Sequence, residues 1–591
     1  MGRIPADGWD APHLLCGAVP TAAQGGRRQA CPPRPEKQPA VFHIPAAPGG
    51  FAPGGAGNLP KRVKTFQSGG KGVPRGSAPE SQPEQMKYIL TSCLVFGAGA
   101  GAVYGVRPGS WLGGRTIGGA GRWEKCLAAA LALALALLAV LPMGLSPYWN
   151  GENPGHRVQY EQLAESFLQG RIDLDYGDMD PRLLEMENPY DPKARAELGV
   201  EYHWDHAFYN GRYYMYFGVA PVLLLFLPYR VVTGTPLTTY HGTQVFTALF
   251  IGGMLVLLWF LAKRFFRDMP LSVFFSLWGA FSLMSVWYCS AAPAQYCTAI
   301  SSALCVEVWS LFFFAQAVWG GHREGPSLAL GTLGSLLGAL AFGCRPTVAL
   351  ANLLAVPLFA YYVRGKRLGW RLLGQTALVL LPYVLVGAGL MAYNYVRFES
   401  PFEFGQSYQL TVADQSAYGS LFSQVSLGRL VKETVKNFFY VARPTGSFPY
   451  IGHSSVVGNF PICLLAAGCL ASRGTRQGLR DSGFQGFWWT LLTLPLIITL
   501  AQVGMSPFLT ERYRGDLYWL VGLLCFLCFG LFLQSQGEPG RRKWGFVLSL
   551  AGFVTMAQCF LLWCVPWDHN FTMEYPAYLD MFQRVLTFGL L

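Results

Sequence analysis

From residue 126 to the end of the chain, apolar runs of 14–23 residues alternate with short polar connections. A membrane-spanning helix needs about 20 mostly apolar residues. The runs lie at 126–145, 214–232, 243–262, 270–289, 297–319, 328–343, 346–363, 372–393, 458–471, 486–504, 517–534 and 544–565. The pattern predicts an all-α polytopic membrane protein.

The connections fix how the runs are threaded. Lys and Arg collect in short loops on the cytoplasmic side. Lys263, Arg264 and Arg267 form one such cluster; Arg364, Lys366, Arg367 and Arg371 a second; Arg473, Arg476 and Arg480 a third; Arg541, Arg542 and Lys543 a fourth. If all twelve runs crossed, the first cluster would fall on the wrong side. If 214–232 does not cross, all four fall on one side. That run carries Pro221 and Pro228, which suit a re-entrant or interfacial helix. Eleven crossings plus one such helix are therefore expected, with the N-terminus cytoplasmic and the C-terminus outside. Three polar loops, 146–213, 394–457 and 505–516, then share the outer face.

Composition agrees with this picture. Apolar residues make up 52% of the 591 and charged residues 13%, about half the charge of an ordinary globular chain. That excludes a cytosolic enzyme and a disordered protein. The net charge of +12 is concentrated at the start: residues 1–125 hold 15 Lys/Arg and 6 Asp/Glu, or +9, leaving +3 for the rest. A basic leader before a first span fits the charge rule, and nucleic acid is not an expected partner. Residues 1–85 contain 14 Gly and 14 Pro with four aromatics. They cannot bury enough apolar surface to offset ordering entropy and are expected to be a disordered extension. Met86 opens a more ordinary membrane-protein start, so the upstream stretch also fits a misassigned start. Residues 86–125 read as a weakly structured basic segment and 126–591 as the polytopic domain. Most cysteines lie in or beside apolar runs, where they act as small hydrophobes.

The chemistry-bearing residues fall in the outer loops. Loop 146–213 holds 13 carboxylates. Its residues 157–169 have helical apolar spacing, and Gly170 should end that helix. Asp173, Asp175, Asp178 and Asp180 follow. Clustered carboxylates at a membrane face can deprotonate a hydroxyl or hold a divalent cation. His203, Asp205 and His206 are weak metal candidates whose spacing fits no established site. Arg512 and Arg514, with Arg397, could hold a lipid phosphate, because guanidinium matches phosphate oxygens in a fork. Glu307, in the middle of a span, should be protonated, paired or facing a cavity.

The stretches "YEQLAESFLQG", "YNGRYYMYFGVAPVLLLFLPYRVVTG", "LAKRFF", "CRPT", "RYRGD" and "YNYVRFESPFEFG" together resemble the GT-C superfamily of polytopic glycosyltransferases, such as the protein mannosyltransferases and aminoarabinose transferases. The likeness in layout covers about residues 126–565. It implies a sugar transferred from a polyprenyl-phosphate donor to a glycan, lipid or protein acceptor on the outer face of a membrane, with the bacterial cytoplasmic membrane as the expected location. It also implies a catalytic acid three or four residues before the tyrosine of the first loop helix, where this chain has His156 and Arg157. The role then moves to Asp173 or Asp175, with Glu152, His156 and Glu161 as alternatives, or is absent. Arg397, Arg512 and Arg514 would bind the donor phosphate. A transporter or flippase, and a non-catalytic assembly protein, remain open.

Overall fold

The computed structural model describes residues 82–146, 159–321, 327–363, 369–416, 425–506, 509–566 and 570–590. Of the site candidates, Glu152 and His156 lie outside these residues, as do Arg157 and nearly all of the 1–85 extension. In chain order the elements used below are α1 (Gln82–Gly105), α2 (Arg122–Val140), α3 (Gln159–Leu168), β1 (Ala207–Tyr209), β2 (Arg212–Tyr214), α4 (Leu227–Thr233), α5 (Thr239–Phe265), α6 (Leu271–Ala291), α7 (Gln295–Trp319), α8 (Leu328–Phe342), α9 (Ala355–Val363), α10 (Trp370–Phe398), α11 (Leu427–Phe439), α12 (Ile462–Cys469), α13 (Gln485–Met505), α14 (Glu511–Gln534), α15 (Glu538–Trp563) and α16 (Pro576–Leu586).

The protein is an all-α integral membrane protein. Among the described residues nine helices are long and apolar enough to cross a bilayer: α1, α2 with the turn that follows it, α5, α6, α7, α10, α13, α14 and α15. Among the described residues the strands amount to one small hairpin, β1 against β2, with Phe208 opposite Tyr213.

The bundle is built around α6, which is buried along its whole length. Small residues let its neighbours close on it, as expected where lipid supplies no hydrophobic drive between helices. Gly552 of α15 sits where a Cβ would be 2.8 Å from the Ser276 carbonyl oxygen, so no side chain fits there. Gly522 of α14 likewise faces Phe281. The outer helices α1 and α10 leave most of their surface to lipid.

Contacts at the two ends show the threading. Arg541 reaches Asp268 at 3.3 Å, Phe484 packs on Phe265 at 4.8 Å, and Gly474 lies against Ser535. The basic clusters at 263–267, 473–480 and 541–543 are therefore gathered at one end of the bundle. Residues 364–368 of the second cluster lie outside the described residues. At the other end stand the C-termini of α6, α10 and α13 and the N-termini of α7 and α14.

From α2 onward the chain runs between these ends eleven times, but three of the passages are not regular spanning helices. α8 has 15 residues. The stretch from Pro346 to Val363 is α-helical only at its ends, with a 3-10 segment at Leu350–Leu354. Residues 456–469 form two short helices, Val456–Asn459 and α12, because Pro461 cannot continue the first. The run at 214–232 becomes a short apolar helix, Val222–Thr233, opening with a π turn at Val222–Phe226. Twelve residues reach about 18 Å, well short of a bilayer core of about 30 Å.

One difference from the sequence expectation concerns the start. The segment 86–125, expected to be weakly structured, opens with most of the long α1. The first half of α1 packs on α16, where Ser92 Oγ donates to the Val585 carbonyl at 2.5 Å and Phe96 stacks on Phe588 at 5.0 Å. Its C-terminal end lies toward residues 115–118, which pair with 267–271. This twelfth passage places Gln82 at the end opposite the basic clusters, not with them.

Candidate active site

The loop between α2 and α5 builds one wall of a cavity. α3 is amphipathic, as its spacing requires, and buries Tyr160, Leu163 and Ala164. Tyr160 stacks on Phe226 at 5.3 Å, which seats α3 on the short apolar helix. Gly170, at φ +72°, ends α3. Glu161 does not face open space: its carboxylate accepts from the Thr239 backbone N–H at 2.6 Å and caps α5.

The acidic run after α3 lies along an open polar groove of about 770 Å³, lined by residues 170–179 and 211–214. Each carboxylate there has a local partner. Asp175 accepts from Arg171 at 2.7 Å and from the Gly177 N–H at 3.0 Å, which lowers its affinity for a proton. Asp180 is held by Arg182 and the Glu201 N–H, and its carboxyl lies well below the usual range. Asp173 lies 3.9 Å from Arg212. None of the expected phosphate-binding arginines lines this groove.

A second cavity, of about 860 Å³, opens at the bundle end opposite the basic clusters. Its walls come from residues 204–219, the α6–α7 junction, residues 342–347, the end of α10, a strap at 402–415, and the α13–α14 junction. The strap is tied down by backbone bonds from Asp205 N–H to the Leu410 carbonyl and from Leu410 N–H to the His206 carbonyl, both 2.9 Å.

Of the two carboxylates lining this cavity, Glu403 is taken up by the Gly405 N–H and the Ser407 hydroxyl, which leaves Asp205. It is buried, at φ +60°, where an Asp is tolerated better than most residues. Its carboxylate accepts hydrogen bonds from Tyr296 and, at 3.2 Å, from Tyr216. Burial pushes its carboxyl up. The Tyr296 bond, the nearby Arg512 charge and the Tyr216 bond pull the other way. The result is a carboxylate more basic than usual and still supported in its charged form.

Three arginines line the same cavity. Arg512 lies over the Tyr296 ring, 4.0 Å from its centroid. Arg397 is buried; it donates to the Met215 carbonyl and to Asn394 Oδ1, both at 2.7 Å, and its Nε has no partner. Neither is in an ion pair among the described residues. Arg345 is held by Asp516 through Nε at 2.6 Å, and Thr347 and Gln502 complete that carboxylate's bonds at 2.7 and 2.8 Å. Further buried polar atoms lining the cavity also lack partners, among them Tyr393 Oη, Gln415 Oε1 and Gln502 Oε1. Buried polar groups are nearly always satisfied, so orphans on α10, the strap and α13 around one cavity suit a polar ligand.

The structure thus separates the residues expected to act together. Arg397 and Arg512 share a cavity; Asp173 and Asp175 lie in the groove instead. Arg514 turns away from both. It donates to Asn437 Oδ1 at 3.0 Å, to the Ser454 carbonyl at 2.9 Å and to Glu511, and is spent on packing. His203 pairs with Asp178 at 2.7 Å, and His206 with the Tyr176 hydroxyl at 2.7 Å. Asp205 points the other way, into the cavity. Among the described residues no three His, Cys, Asp or Glu side chains converge as a metal-ligand set. Glu307 accepts from Asn352 at 2.6 Å inside the bundle. The sequence singled out Asp205 only as a metal candidate. Its proximity to Arg512 arises from contacts spanning more than 90 residues, which no local motif carries.

No family model matches the chain, and no curated protein sequence matches it. The apo crystal structure of an oligosaccharyltransferase from Archaeoglobus fulgidus is similar over 79% of this chain and 60% of that one, at 13% identity and a TM-score of 0.28. The chain thus spans less than two thirds of that protein's length. A likeness this loose assigns neither activity nor site residues.

Proposed function

We propose that the protein is a membrane glycosyltransferase that moves a sugar from a polyprenyl-phosphate donor to a hydroxyl acceptor in the cavity holding Asp205, Arg512 and Arg397. The observation that carries the reading is the pairing, in one cavity, of a buried carboxylate with two arginines that have no ion-pair partner among the described residues. Such a pairing suits a substrate that gives up a proton at one end and develops negative charge at the other.

The chemistry follows from the groups. Asp205 takes the proton of the acceptor hydroxyl. That oxygen attacks the anomeric carbon as the bond from this carbon to the phosphate oxygen breaks. The electron pair leaves with the polyprenyl phosphate, whose charge Arg512 and Arg397 offset. The two phenols on Asp205 favour its ionised form against the effect of burial. With the basic clusters on the cytoplasmic side, the cavity opens on the outer face, and a lipid-linked donor reaches it from the bilayer.

The test is glycosyl transfer by the full chain reconstituted in vesicles with lipid-linked sugars from its own membranes. Asp205→Asn should abolish transfer, while Asp173→Asn and Asp175→Asn should leave it largely intact. Loss in the groove variants with activity retained in Asp205→Asn would move the base to the groove. No transfer by the wild-type chain with any lipid-linked donor would contradict the reading.

A further inference from the structure

Helix α11 carries a feature the cavity does not use. Leu427, Val431, Val435 and Phe439 recur every four residues and are all exposed. Lys432 and Lys436 are exposed beside them. The opposite side of the helix is engaged. Arg429 donates to the Ser506 carbonyl at 2.6 Å, and Asn437 Nδ2 to Thr499 Oγ1 at 3.0 Å.

These two contacts fix where the helix lies. Eight residues of α11 advance about 12 Å, and the seven residues from Thr499 to Ser506 advance about 10 Å. α11 therefore runs antiparallel along the last turns of the spanning helix α13, starting at the end of that helix and reaching about two turns back along it. An exposed apolar stripe on a helix packed outside a spanning helix suits contact with lipid. Exposed lysines on such a helix lay their stems along the apolar face and extend their ammonium groups toward headgroup phosphate.

We propose that α11 is a docking surface for anionic phospholipid, with Leu427, Val431, Val435 and Phe439 inserted at the acyl boundary and Lys432 and Lys436 on the headgroup phosphates. The inner face of the helix touches the cavity rim. Asn437 also accepts from Arg514, in the first turn of α14 and two residues from Arg512. Ser506, held by Arg429, itself lines the cavity. The inference does not rest on the glycosyltransferase reading, because its readout is backbone protection.

The experiment is hydrogen–deuterium exchange of the 427–439 amides, with the full chain in vesicles of phosphatidylcholine alone or mixed equally with phosphatidylglycerol. A lysine near an anionic leaflet is worth about a fivefold change in occupancy. Exchange should therefore slow severalfold in the mixed vesicles. Lys432→Gln with Lys436→Gln should abolish the difference while keeping the protection seen in phosphatidylcholine. Val431→Asp with Val435→Asp should weaken protection in both. Equal exchange in the two vesicle types, or a difference that survives the lysine substitutions, would overturn the proposal. Protection that follows protein density in the vesicle instead of lipid charge would identify a second copy of the chain as the occupant and overturn it equally.

Discussion

Tyr296 donates a hydrogen bond to the Asp205 carboxylate, joining the first turn of a spanning helix to a loop 91 residues earlier in the chain. The same tyrosine ring lies under the Arg512 guanidinium, 4.0 Å from its carbon. One phenol thus touches both the carboxylate and the cation of the proposed reaction.

Replacing Asp205 by Asn should remove the base and keep the fold. Asn tolerates the φ of +60° at this position, and its amide still accepts from a phenol. Transfer should fall by about 10²–10⁴-fold. Because burial raises the carboxyl's pKa, ionised Asp205 costs stability, so the apparent Tm at neutral pH should hold or rise. Activity in vesicles and thermal unfolding of the same preparation check both outcomes.

The pH profile should carry the same signature. Asp205 acts as a base only when ionised, and burial holds its carboxyl above the usual range. Transfer should therefore decline as pH falls through a value higher than that of an ordinary aspartate. Tyr216→Phe removes one stabilising bond to the charged form and should shift the decline to higher pH. A profile that stays flat down to the ordinary carboxylate range would argue against Asp205 as the base.

Arg345 and Asp516 form a separate, structural pair at the cavity wall, with side-chain exposures of 15% and 0%. Removing one partner of a buried pair typically costs about 3–5 kcal/mol. Asp516→Ala should accordingly lower the apparent Tm sharply. Arg345→Met combined with Asp516→Leu should recover much of that loss, since no lone buried charge remains. Differential scanning fluorimetry in detergent reads both.

Gly218 lets the loop that carries Tyr216 close against the bundle. A Cβ there would stand 2.0 Å from the Gly343 carbonyl oxygen and 2.7 Å from that of Cys344. Both are backbone atoms and cannot swing away. Gly218→Ala should therefore displace Tyr216 and Phe217 from the cavity and reduce transfer more than it reduces folded yield. Gly144→Ala, where a Cβ meets open space, is the control.

The membrane class and the non-crossing segment at 214–232 were legible because both rest on local pattern: apolar run length and the side on which basic clusters must fall. α1 was underestimated because its Gly- and Ala-rich run, 97–102, carries a weak apolar signal. The acidic run at 173–180 drew attention by its density, yet those carboxylates have partners in the same loop: Arg171 for Asp175, Arg182 for Asp180, His203 for Asp178 and Arg212 for Asp173. Asp205 offered no comparable density. Its role emerges only when α7 and α14 bring Tyr296 and Arg512 to it. Arg397 and Arg512 were recognisable as cations in polar loops, whereas Arg514, two residues from Arg512, proved to be absorbed by Asn437, Ser454 and Glu511.

The claim that this cavity holds a phosphate-linked lipid can be measured without knowing the sugar or the acceptor, because polyprenyl phosphate is the product of every such transfer. The measurement is equilibrium binding of polyprenyl monophosphate, with polyprenol as the uncharged comparison, to the full chain in vesicles. The account expects binding that depends on the phosphate, weakens at least tenfold in Arg512→Ala and Arg397→Ala, and is only partly restored by Arg512→Lys, which lacks the planar fork. Asp205→Asn should bind as tightly as the wild-type chain or more so, since it removes a negative charge from the cavity. Equal binding of polyprenol and polyprenyl phosphate, or binding indifferent to both arginines, would contradict it.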